Sequence, residues 1–115
     1  MDIVNEAVNL ADKISDSIKD SQIYKDYRTA LSKIEEDTEL MEKIRQLKIK
    51  HIDFANDRIN GIDDFNKEKY ISQEFFKVML NENARIYFMN EEKLVNLIAD
   101  VYTKVIEKCD LNLFA

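Results

Sequence analysis

The chain has 115 residues, 45% of them hydrophobic and 35% charged, with a net charge of −6. That length fits a single domain spanning residues 1–115, and the hydrophobic share excludes a disordered chain. With no proline and one glycine, Gly61, turn-rich β architectures are excluded in favour of a few long helices.

The first helix is predicted over residues 2–19, where Ile3, Val4, Ala7, Leu10, Ala11, Ile14 and Ile18 recur at three- and four-residue spacings. The segment "DSQ" breaks it, and Ser21 or Asp20 can cap a second helix that runs to about Glu36. On that second helix Ile23, Tyr27, Ala30, Leu31 and Ile34 share a face, so Tyr27 is expected in the core. Tyr24 lies about 100° away, at the stripe's edge, where a phenol suits either packing or an interface.

Asp37 opens a third helix that ends at Gly61, followed by the acidic loop "GIDDFN". A fourth is predicted over about 64–80, and "NEN" at 81–83 marks a break before a last helix over about 83–109. The last helix carries apolar residues in adjacent pairs, a stripe wide enough for two packing neighbours. About 40 Å of helix exceeds the dimensions of a compact domain this size, so the expected fold is an elongated antiparallel bundle of five helices. A break near Asn90 would shorten that rod. An elongated chain leaves part of the stripe uncovered, which predicts a homodimer or a subunit of a mixed oligomer.

The spacing carries no catalytic signature. A phosphate loop needs several glycines, and a zinc site needs paired ligands that one histidine, His51, and one cysteine, Cys109, do not supply. No cofactor or metal is therefore expected, and no enzyme. His51 falls in register with Leu40, Ile44, Leu47 and Phe54 and reads as a packing residue, and Cys109 as a small hydrophobe. Glu91 sits among Tyr87, Phe88, Leu94 and Val95, a carboxylate on the apolar stripe that needs a partner such as Arg58 or contact with water. The candidate interface or buried polar positions are Tyr24, Phe88, Glu91, Val95 and Tyr102.

Acids and bases are interspersed and net acidic, which disfavours direct nucleic-acid binding. The longest apolar run, Ile86 to Met89, is far too short for membrane insertion. The opening "MDIVNEAVNL" lacks the basic-then-apolar order of a secretory signal, and a lone cysteine suits a reducing compartment, so a cytoplasmic location is expected.

Two stretches resemble the YlbF/YmcA family, the control-of-competence regulators among small helical bacterial proteins. "DSQIYKDYRTALSKIEEDTEL" with "IRQLKIKH" is similar to that family's opening half: a serine, two spaced tyrosines, an Ala-Leu pair and an acidic break. "LNENARIYFMNEEKLVNLIADVYTKVIEK" is similar to its closing half, although the family's usual Asn-Pro is replaced by Asn81-Glu82-Asn83. The resemblance implies an all-α regulator that self-associates, joins sister regulatory subunits and acts with the ribonuclease RNase Y in mRNA processing and bacterial development. Some members bind an iron–sulfur cluster through C-terminal cysteines, but Cys109 alone cannot hold one, and that feature is not carried over. Two other readings stand beside the regulator: a self-associating structural domain, and a small-molecule or metal binder whose polar groups would be Glu91, His51 and Arg58.

Overall fold

The computed structural model describes residues 3–109 as five helices, with no strand among the described residues. They are α1 (Ile3–Lys19), α2 (Gln22–Glu35), α3 (Thr38–Ile59), α4 (Phe65–Val78) and α5 (Glu82–Lys108). The protein is an all-α helical bundle, and each helix falls within a few residues of its predicted range. Asp2, the expected start of the first helix, lies outside the described residues, as does the Ile3 side chain. Helix α5 runs without a break through Asn90.

Four helices begin in the same way, with a short polar side chain accepting a bond from the free backbone N–H three residues on. Ser21 accepts from Tyr24 at 3.2 Å, Asp37 from Leu40 at 3.1 Å, Asp64 from Lys67 at 3.0 Å and Asn81 from Ala84 at 3.1 Å. The end of α3 is closed by Gly61, whose φ of 80° lies in the left-handed region that a side chain disfavours. There the Gly61 N–H bonds to the Arg58 carbonyl at 3.1 Å and the Ile62 N–H to the Asp57 carbonyl at 2.8 Å. This paired arrangement satisfies carbonyls the helix would otherwise leave free.

By its contacts the chain divides into two compact units. Unit 2, Ala30–Phe88, comprises the end of α2, all of α3 and α4, and the start of α5. Here α3 and α4 form an antiparallel hairpin, since Lys50 meets Tyr70 while Asp57, further along α3, meets Lys67, nearer the start of α4. Among the described residues every buried hydrophobic one belongs to this unit: Ala30, Ile34, Leu40, Ile44, Leu47, Phe54, Ile71, Val78, Ala84 and Tyr87. Tyr87 keeps its hydroxyl satisfied by accepting a 2.6 Å bond from the Lys48 ammonium, so the phenol is buried without an orphaned polar atom.

Unit 1 comprises Met1–Thr29 and Met89–Ala115, so its described helices are α1, the start of α2 and most of α5. None of its described side chains is buried. Tyr27 corrects one expectation: it is half-buried rather than in the core, because its stripe reaches buried territory only at Ala30, 3% exposed. His51 corrects another. Its helical phase falls between those of Leu40 and Ile44, yet it is exposed.

Candidate interaction surface

The last helix positions the candidate site through its own periodicity. Glu91, Val95, Ile98, Tyr102 and Val105 are spaced 4, 3, 4 and 3 residues apart, which places them within one narrow face of α5. This is the 3.5-residue repeat of a helix that packs along its length against another helix. Val95 is 56% exposed, Ile98 48%, Tyr102 63% and Val105 50%, and Glu91 is half-buried.

Roughly 90° around the same helix, Leu94, Leu97 and Val101 form a second row. These three are half-buried, and Leu97 and Val101 share a groove of about 650 Å³ with Leu10, Ile14 and Ile18 of α1. The wide stripe read from the sequence is therefore two rows: one faces α1 within unit 1, and one lies open. Helix α1 is also open on part of its apolar face, at Val4, Val8, Leu10 and Ile14.

Tyr24 and Tyr27 stand as a half-buried pair in unit 1, with ring centres 6.5 Å apart and planes tilted by 37°. Phe88 belongs to unit 2, where its ring meets the edge of Phe75 at 5.4 Å and of Tyr87 at 5.2 Å. Of the five candidate positions, Glu91, Val95 and Tyr102 share the open face, Tyr24 lies on another helix, and Phe88 packs with unit 2's aromatic side chains. Ile98 and Val105 complete the open row. Their signal was the strict 3.5-residue spacing, which a search for isolated aromatics and charges passes over.

Arg58 directs its guanidinium to the Phe54 ring, 5.6 Å from its centre. In the cleft of about 940 Å³ between α3 and α4 the charges engage one another: Lys43 with Glu39 at 3.3 Å and Lys77 with Glu74 at 3.3 Å. Lys50 donates to the Tyr70 hydroxyl at 3.1 Å in the same cleft. One electrostatic perturbation, at Lys67, is structural. The 2.8 Å bond from Lys67 to Asp57 raises the lysine's pKa above its ordinary value, aided by the charges of Asp53 and Asp64. Among the described residues no cluster of histidine, cysteine, aspartate or glutamate is suited to hold a metal, and no helix is long and apolar enough to cross a membrane.

The family model described as control of competence regulator ComK, YlbF/YmcA, matches residues 7–109. The chain belongs to the YlbF/YmcA family. Among curated proteins it is similar to a UPF0342 protein of Caldicellulosiruptor saccharolyticus, 25% identical over 104 residues, which covers 90% of this chain and 87% of that protein. A UPF0342 protein of Caldicellulosiruptor bescii is 27% identical over 94 residues, covering 81% of this chain and 79% of its own. No solved structure matches. Membership of a family of competence regulators suggests a regulatory role.

Proposed function

We propose that this protein is a non-catalytic regulatory subunit that acts by helix-to-helix contact with other proteins. The observation that carries the reading is the open row Val95, Ile98, Tyr102 and Val105, in a chain whose family model spans residues 7–109. Apolar surface in contiguous rows marks a protein contact more often than a solvated face. The finer reading follows the family: the partners are sister regulatory subunits and the mRNA-processing ribonuclease RNase Y, in the cytoplasm, with effects on competence and development. An acidic chain of this kind would act on the ribonuclease rather than on RNA.

The test is capture from native lysate with the tagged full chain, followed by reconstitution with purified sister subunits and the ribonuclease. Stoichiometric recovery of those partners, lost when Val95 and Tyr102 are both changed to aspartate, is the expected result. Recovery of no protein but the chain itself would favour the structural reading, a domain whose role ends with self-association. The absence of any buried side chain among the described residues of unit 1 is the observation on which that second reading rests.

A further inference from the structure

We infer that the tip of the α3–α4 hairpin is a second, preformed docking surface, which takes a basic amphipathic helix of another protein on Ile59, Ile62 and Phe65. The inference goes beyond the open row of α5 and does not rest on it, since the tip lies wholly within unit 2.

Three observations carry it. First, large apolar side chains stand where a turn ordinarily carries polar ones. Ile59, the last residue of α3, is 82% exposed, Ile62 in the link is 54% exposed, and Phe65, the first residue of α4, is 72% exposed. Second, the local partners that such residues often find are missing. The paired bonds that close α3 at Gly61 commonly bring the residue after the glycine into apolar contact with the end of the helix. That residue is Ile62, and the helix positions it would meet, Asn56 and Asp57, are polar. At a helix start the residue before the cap often packs on the fourth helical residue. At α4 those two are Asp63 and Glu68. The apolar surface is therefore left open, on a backbone already held by a left-handed glycine, two carbonyl bonds and a cap. A surface fixed beforehand loses little conformational freedom on binding.

Third, the charge around the cluster selects the occupant. From Asp57 to Glu68 the chain has four carboxylates and two bases. Both bases are engaged within the chain: Lys67 pairs with Asp57 at 2.8 Å, and Arg58 lies over the Phe54 ring at 5.6 Å. Asp63, Asp64 and Glu68 have no ion pair among the described residues. Apolar anchors beside free carboxylates match apolar side chains flanked by lysine or arginine, the arrangement of a basic amphipathic helix. The same charge repels an anionic lipid surface and the tip of a second copy.

The test titrates the full chain with two synthetic amphipathic helices that share their leucine positions, one filled with lysine and arginine and the other with glutamate. Amide NMR shifts of residues 59–65 should move with the basic peptide and stay still with the acidic one. The pair Ile62→Ser with Phe65→Ser should weaken binding by about tenfold. Asp63→Lys should weaken it by about threefold, and added salt should weaken it further. The pair Val95→Asp with Tyr102→Asp should leave the shifts at the tip in place. Should the serine pair lose helix content, the acidic peptide and Asp63→Lys decide the matter. Unmoved amides at residues 59–65, equal affinity for the acidic peptide, or binding indifferent to Asp63→Lys would each overturn the inference. Movement of the same amides on dilution would make the occupant a second copy, and movement with neutral phosphatidylcholine vesicles would make it a lipid surface; either result also overturns it. Failure at the tip leaves the regulatory reading of the α5 face standing.

Discussion

Unit 2 and unit 1 are written in the same residue alphabet, yet among the described residues only unit 2 has buried side chains. In unit 2 the apolar positions of α3, spaced at Leu40, Ile44, Leu47 and Phe54, are buried, as are Ile71 and Val78 of α4, the helix that pairs with α3 in one hairpin. In unit 1 the apolar positions of α1 and α5 follow equally regular spacing and remain open or half-buried. The hairpin closes because a five-residue link with a left-handed glycine returns the chain at once onto the stripe it has just made. The rows of unit 1 come from the two ends of the sequence, with no local link to enforce closure. An amphipathic pattern therefore specifies that a face will be covered and leaves open which polypeptide covers it.

The most direct way to break this comparison is amide hydrogen exchange in dilute protein. Amides of α3 around Ile44 and Leu47 should exchange only through global unfolding, whereas those of α1 around Val8 should open locally, with a difference of about 3 kcal/mol or more. Equal protection in the two helices at low concentration would show that unit 1 holds itself together. Side-chain deletion comes next. Ile34 is fully buried, so Ile34→Ala should cost about 3 kcal/mol in urea unfolding, independent of protein concentration. Val8→Ala, at a position 55% exposed, should cost less than about 0.5 kcal/mol when the protein is dilute.

Cap deletions sharpen the contrast at a smaller scale. Asp37→Ala and Asp64→Ala remove the acceptors for Leu40 and Lys67 in unit 2, and each should lower global stability by about 1 kcal/mol. Ser21→Ala removes the equivalent acceptor in unit 1. Its effect should appear as faster local exchange at the start of α2, with the global transition unmoved. A full 1 kcal/mol loss in that transition would place unit 1 in the same cooperative unit as the core.

Helix positions were legible in the sequence because spacing, caps and the single glycine all act locally. Asp37, Ser21, Asn81 and Gly61 each do in the structure what their side chains or backbone favour. The cap at Asp64 follows the same rule, within a segment where the acidic loop and the start of the fourth helix overlap in the sequence. Burial was less legible. Tyr27 and His51 lie on apolar stripes, and neither is in the core, since phase along a helix does not say at which levels a neighbour is present. The open face was half legible: Val95, Tyr102 and Glu91 stood out as single residues, while Ile98 and Val105 join them only through the heptad spacing. Lys48 illustrates what no pattern reveals. Its bond to Tyr87 links residues 39 positions apart and depends on the packed geometry.

The smallest expected effect separates the units by pH. The bond to Asp57 raises the folded pKa of Lys67 above the ordinary lysine value of 10.5, and the unfolded chain lacks that partner. A raised lysine pKa means that the folded form holds its proton more tightly. The contribution of the pair is fully present below the ordinary value and is lost as pH rises through the raised one. The pair is partly exposed, so the effect is modest. Thermal unfolding followed from neutral pH to above that value should fall further for the wild type than for Lys67→Met, because only the wild type has this contribution to lose. Parallel curves would remove the pair from any role in holding α4 to α3. Exchange of α1 amides should not distinguish the two proteins, since the bond lies wholly within unit 2.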